Sequence, residues 1–163
     1  ARVYADGIMG GTSNPTFSPA GTLTRGQVVA MLYRMAGSPA VTANTTGFSD
    51  VDNGAYYADA VKWASGKEIV GGYADGTFAP NRAITREQLA RMLYAHAGTP
   101  AVSGDLNNFA DGAKVSNWAK DAVIWAKEKG IIKGKTVNGK LCIDPQGNAT
   151  RAEAATMMKN YLG

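Results

Sequence analysis

One cysteine, Cys142, and one histidine, His96, in 163 residues leave this chain short of the side chains that most catalytic and metal sites need. A lone cysteine makes no internal disulfide, so covalent crosslinks do not hold the fold. One histidine among scattered carboxylates gives no repeated nucleophile–base set and no metal cluster, which argues against an enzyme and against a cofactor. Charge is sparse as well. Asp, Glu, Lys and Arg make up 18% of the chain, the net charge is +4, and the basic residues do not gather into the stripe that grips nucleic acid. No apolar run approaches the 18 residues needed to cross a bilayer, so membrane insertion is not expected. The rest of the composition is that of a globular protein, long enough for one sizeable core or a tight cluster of small units. The start at Ala1 reads as that of a processed or excised piece.

Repetition is what the chain has in quantity. Thr24-Arg25-Gly26-Gln27 returns as Thr85-Arg86-Glu87-Gln88, 61 positions on, and as Thr150-Arg151-Ala152-Glu153 after a further 65. A loop carrying proline precedes each copy: Thr16-Phe17-Ser18-Pro19, Thr77-Phe78-Ala79-Pro80 and Cys142-Ile143-Asp144-Pro145. An apolar helical run follows each. A repeat of this length builds a fold from similar units and makes any binding site recur.

The unit is clearest over 48–98. Phe48-Ser49-Asp50-Val51 opens it, and the spacing of Tyr57, Ala60, Val61 and Ala64 predicts a helix with one apolar face. Gly66 and the pair Gly71-Gly72 are expected to end that helix and turn the chain. Tyr73-Ala74-Asp75-Gly76-Thr77-Phe78 reads as a tight turn with short extended flanks, and a second helix starts at Thr85. The unit over 109–163 repeats this plan with a longer turn, where Asn138-Gly139 replaces Asp75-Gly76. The unit over 1–37 lacks the opening and the first helix, because counting back 61 from Trp63 reaches Arg2. Residues 38–47 and 99–108, rich in Ser, Thr, Pro, Gly and Asn, read as linkers within one compact domain. Without a first helix, Val28, Met31 and Leu32 are expected to lose cover. We therefore expect that helix upstream of Ala1 or from another chain.

Each Thr-x-x-Gln/Glu is a capping box, which starts a helix by satisfying two backbone donors reciprocally. Behind the caps the apolar positions superpose: Val28, Met31, Leu32 and Met35; Leu89, Met92, Leu93 and His96; Ala154, Met157, Met158 and Tyr161. Three equivalent stripes are expected to pack together, with His96 as a packing residue at the boundary. The caps leave Arg25, Arg86 and Arg151 unexplained. A cation at the first helical position opposes the helix dipole. Three such cations at one structural position suggest use. A free helix N-terminus beside a forked guanidinium is a receptor for a carboxylate or phosphate, and packing on the neighbouring repeat is the structural alternative.

Together these pieces resemble the S-layer homology (SLH) domain: Phe-x-Asp-Val, the Trp-Ala helix at Trp63-Ala64 and Trp125-Ala126, Gly72 to Pro80, and Ile84 to Gln88. The resemblance covers nearly the whole chain. It implies a mainly α fold of three repeats in a pseudo-threefold arrangement around a central helical bundle. It also implies a noncatalytic module of the bacterial cell surface. Such modules bind an acidic secondary cell-wall polysaccharide, often pyruvylated, in grooves between repeats, with the motif arginine as a main contact. By position the candidate binding residues are Arg25, Arg86 and Arg151, the capping Thr24, Thr85 and Thr150, Tyr73, and the loop glycines Gly10, Gly71, Gly72 and Gly134. The third turn, Lys135–Ile143, lacks Gly-Tyr-x-Asp-Gly and is expected to shape a different groove.

Trp63, Trp118, Trp125, Tyr73 and Phe78 are candidate sugar-stacking faces. Burial of their large area makes each a core candidate first, with Tyr73 the best placed for the surface. The alternative function is protein–protein assembly with other surface-layer chains. Asp50-Val51-Asp52-Asn53-Gly54 starts like a calcium loop, but position twelve is Val61 rather than a bidentate glutamate, so no metal is expected there.

Overall fold

The structure, a computed structural model, describes residues 21–43 and 47–162. Gly10 and the first proline loop, Thr16 to Pro19, lie outside them. Among the described residues five α-helices carry the fold: α1 (Arg25–Met35), α2 (Ala58–Gly66), α3 (Arg86–His96), α4 (Lys120–Glu128) and α5 (Arg151–Leu162). Two 3-10 turns, Gly112–Lys114 and Asn117–Ala119, lead into α4. The described residues are thus mainly helical. Strands β1 (Lys135–Val137) and β2 (Lys140–Cys142) form an antiparallel hairpin in register Lys135 with Cys142 and Val137 with Lys140. Asn138 and Gly139 turn it at φ of 52° and 77°, the left-handed pair that a two-residue hairpin needs.

The capping boxes start the second helices as the sequence predicts. Gln27 N donates to Thr24 Oγ1 (3.1 Å) while Thr24 N donates to Gln27 Oε1 (2.9 Å). Thr85 with Gln88 and Thr150 with Glu153 do the same. α1 and α3 end alike. Gly37 and Gly98 take φ of 88° and 92°, and the next amides, Ser38 and Thr99, return to the carbonyls of Tyr33 and Tyr94. The linkers that follow are pinned, because Tyr33 Oη donates to Pro39 O and Tyr94 Oη to Pro100 O (2.7 Å).

α2 ends at Gly66 as expected, but the turn that follows it is made elsewhere. Gly66 is its last helical residue and is not left-handed; the left-handed turn falls on Glu68, at φ 60°. Repeat three places Gly130, φ 72°, at that position. A glutamate there keeps the turn only by accepting backbone strain.

The repeats interlock at the helix starts. Arg25 N and Gly26 N donate to Arg82 O and Pro80 O, both at 2.9 Å, so α1 begins in the grip of repeat two's loop. Arg86 N and Glu87 N do the same with Gly147 O and Pro145 O of repeat three, both at 3.0 Å. Arg151 N donates to Gly21 O (2.7 Å). Isolated bridges join Thr24 to Ala83, Thr85 to Asn148, and Thr22 to Thr150.

The core is one cluster shared by all three repeats. Val28, Leu32, Leu89, Leu93, Ala154 and Met158 are fully buried in it. Met35, His96 and Tyr161, the last residues of the stripes, are half-buried at its edge. Among the described helices the close pairs are α1 with α2 and α3 with α4. The second helices of repeats one and two, α1 and α3, thus lie against the first helix of the following repeat, rather than chiefly against their own equivalents. Trp63 packs at a tilt against Tyr33 and Trp125 against Tyr94, at centroid distances of 5.6 and 5.5 Å. This corrects the expectation for Val28, Met31 and Leu32. They stay buried because repeat two's first helix packs on α1.

Candidate functional site

The loop that faces α1 is built by an aspartate. Asp50 accepts hydrogen bonds from the amides of Phe78 (2.9 Å) and Ala79 (2.8 Å). Asp111 accepts from Ile143 (2.8 Å) and Asp144 (2.7 Å) in repeat three. Phe48 packs on Phe78 beneath the loop, centroids 5.4 Å apart. The Phe-x-Asp opening is therefore a clamp for the proline loop, and Asp50 is spent on amides rather than on a cation.

Arg25 enters this loop. Its Nε donates to Phe78 O (2.8 Å) and its Nη2 reaches Gly71 O at 3.4 Å. The guanidinium sits over Phe78 and Tyr73, 4.5 and 5.2 Å from the ring centroids. Both ring faces attract a cation. Arg25 is 5% exposed, and among the described residues no carboxylate lies within ion-pair distance of it. Burial lowers its pKa; Tyr73 and Asp50 offset part of this, and Arg82 adds to it.

Beside Arg25 opens a cavity of about 330 Å³. Gly71, Gly72 and Tyr73 form one wall, and Gln88, Arg91 and Trp118 contribute to the others. Gly72 is required there. A Cβ on it would lie 2.3 Å from Phe48 Cε1 and 2.7 Å from Thr77 O. Gly71 has open space around its Cβ position.

The equivalent cavity one repeat on measures about 350 Å³ and is lined by Arg86, Lys133, Gly134, Lys135 and Glu153, with apolar residues behind. The chemistry differs. Arg86 Nη2 donates to both carboxylate oxygens of Glu153 (2.7 Å to Oε2), and Nη1 pairs with Asp144 Oδ2 at 3.0 Å. Lys135 also reaches Asp144 (3.3 Å) and Glu153 (4.0 Å). Burial pushes the Glu153 carboxyl up. The hydrogen bonds from Arg86 and Thr150 and the charges of Arg86 and Lys135 outweigh it and hold the carboxyl below its usual range. Gly134, at φ 84°, turns the chain against Phe109.

The sequence reading placed Arg25, Tyr73, Gly71 and Gly72 together, and the structure does so too. Three points differ. First, the starts of α1 and α3 are not free, because their three leading amides are spent on the neighbouring loop or the cap, and at α5 the amides of Arg151 and Glu153 are spent in the same way. Any anion must therefore be met by side chains. Second, the hydroxyls of Thr24, Thr85 and Thr150 are engaged in capping. Third, Trp118 is 55% exposed at the Arg25 cavity, whereas Trp63, Trp125 and Phe78 are core, as expected of them. Tyr56, its repeat-two counterpart, is exposed as well. Arg151 is half-buried where α5 meets Gly21. Arg91 went unnoticed in the sequence because its equivalents, Ala30 and Thr156, carry no charge.

Comparison with known proteins agrees with this repeated architecture. The chain is 32% identical over 156 residues to the surface-layer 125 kDa protein of Lysinibacillus sphaericus, covering 96% of the chain and 13% of that protein. It is 33% identical over 160 residues to the exoglucanase XynX of Acetivibrio thermocellus, covering 95% and 14%. A cellulosome-anchoring protein of A. thermocellus matches at 27% over 157 residues, 90% of the chain and 33% of that protein. The chain thus spans only a minor part of each of these relatives. The sequence model of the S-layer homology domain matches three successive segments, residues 1–29, 47–90 and 108–155. With these matches falling on the units that carry the clamp, the proline loop and the capped arginine, the chain belongs to the S-layer homology domain family.

Proposed function

We propose that the chain is a noncatalytic anchoring module of the bacterial cell surface that binds an acidic cell-wall polysaccharide in grooves between its repeats. One observation carries this reading: the buried Arg25 guanidinium, held by two ring faces and two carbonyls, stands beside an open cavity with no described carboxylate within ion-pair distance of it. A sugar carboxylate, such as that of a pyruvate ketal, would complete the arginine's hydrogen bonds as a charge-assisted pair. Trp118 and Tyr73 offer faces to a pyranose ring. The closed set of bridges that joins repeat one to two, two to three and three to one supports a pseudo-threefold, single-domain arrangement. The names of the relatives, a surface-layer protein and a cellulosome-anchoring protein, support an extracellular setting at the wall.

The test is co-sedimentation with purified cell walls, before and after removal of their acidic polysaccharide. Binding is expected only to intact walls and is expected to vanish when Arg25, Arg86 and Arg151 are all replaced by Ala in a chain that still melts cooperatively. Equal binding to stripped walls, or unchanged binding by the triple variant, would refute the reading.

A further inference from the structure

Gln88 and Glu153 are equivalent residues with the same structural duty. Each closes its own capping box, through Thr85 N at 3.0 Å and Thr150 N at 2.9 Å. Each also lines the cavity that receives the preceding repeat's arginine. They differ by one charge. Glu153 fills the Arg86 cavity with a carboxylate that Arg86 grips through both oxygens, and Asp144 adds a second from the position that Ala79 occupies in repeat two. Gln88 carries no charge, and its Nε2 turns to Tyr73 Oη at 3.3 Å.

We propose that the two described grooves are unequal: the Arg25 groove takes the anionic sugar, the Arg86 groove is occupied by the protein's own carboxylates, and the identity of residues 88 and 153 sets the difference. The proposal rests on the anchoring function argued above and names the part of the module that performs it.

Three further observations support it. Arg91 places a buried Nη1, without a hydrogen-bond partner among the described residues, on the same helix face as Gln88 and in the lining of the Arg25 cavity. Thr156 stands at that position in the other groove. The lining of the Arg25 cavity therefore holds two arginines and no acid, matched to an anionic sugar rather than to a neutral one. Trp118 adds an exposed ring at its edge. In the Arg86 groove, Lys133 and Lys135 restore positive charge, but Lys135 is drawn to the same two carboxylates that Arg86 holds. An incoming anion there has to displace an internal anion already in place, which removes most of its gain.

The test exchanges the two residues in an Arg151→Ala chain, so that the groove at Arg151 does not contribute. Binding of released acidic wall polysaccharide is measured by titration calorimetry. Gln88→Glu preserves the cap, as Glu153 shows, and is expected to weaken binding about tenfold or more, the scale of one lost charge-assisted contact. Glu153→Gln is expected to hold or raise the affinity and the number of sites. Should Gln88→Glu lower the melting temperature, Ala79→Asp carries the same test, since Asp144 adopts φ 53° where Ala79 adopts 58°. Unchanged affinity in a folded Gln88→Glu or Ala79→Asp chain overturns the proposal, as does loss of binding in folded Glu153→Gln. Failure of the unmutated chain to bind walls refutes instead the anchoring function.

Discussion

Asp50 accepts a 2.8 Å hydrogen bond from the amide of Ala79, a non-glycine residue held at φ 58° immediately before Pro80. That conformation is costly for alanine, and the residue before a proline is also biased toward extended backbone. The aspartate holds the strained loop in place from 29 positions away, and the same loop offers Phe78 O to Arg25.

Replacing Asp50 with Ala removes two amide partners at once. Stability is expected to fall by about 1–3 kcal/mol, the range for hydrogen bonds to a charged group discounted for exposure. The loss should appear in thermal melts, accompanied by weaker wall binding through a loosened Phe78 carbonyl. Asp50→Asn, which keeps one acceptor oxygen, should fall between the two. A melting temperature unchanged in Asp50→Ala would mean that the loop is held by Phe48 and Phe78 alone.

Much of this was legible in the sequence because local chemistry dictates it. The Thr-x-x-Gln/Glu boxes, the 3–4 apolar stripes and the Asn138-Gly139 hairpin are short-range patterns with short-range causes, and all appear as read. What the sequence hid depends on contacts between repeats. Asp50 resembled a metal-loop start until its partners 28 and 29 residues away were seen. Arg25 and Arg86 look identical in sequence. Their surroundings diverge through residues 88, 153, 79 and 144, which lie in the next repeat. The helix starts looked free because the loops that consume their amides come from another repeat.

The glycine pair at the groove separates structure from access. Gly72→Ala places a Cβ 2.7 Å from the Thr77 carbonyl and 2.3 Å from the Phe48 ring, so backbone or core must shift. A cost of about 1–3 kcal/mol is expected, as for overpacking. Gly71→Ala meets nothing within 4 Å and should change stability by less than about 0.5 kcal/mol. Urea unfolding of the two variants side by side checks the contrast. Equal losses would show that the tight approach at Gly72 relaxes freely.

Glu68 offers a gain. It sits exposed at φ 60° where repeat three has Gly130. Glu68→Gly relieves the left-handed strain at the expense of chain entropy in the unfolded state, and a net stabilisation of up to about 1 kcal/mol is expected. Thermal melts would show it as a rise in Tm. A fall would mean that the side chain of Glu68 contributes more than its backbone strain costs.

His96 gives the fold a dependence on mild acid. It is half-buried at the end of α3, with Nδ1 2.6 Å from Tyr161 Oη and its ring 6.0 Å from that of Trp63. Burial lowers its pKa below the usual 6.5. The unfolded chain therefore takes up its proton at higher pH than the folded chain does. Between the two pKa values the unfolded state binds more protons, so stability falls as pH drops through 6.5 toward the folded value and levels off below it. Repeat one carries Met35 at the same position. His96→Met should remove this slope over pH 7 to 5 while leaving carboxylate-driven unfolding at lower pH unchanged. Urea midpoints measured across that window, for parent and variant, decide it. A parent chain whose midpoint stays flat from pH 7 to 5 would show that folding leaves the His96 proton affinity unaltered.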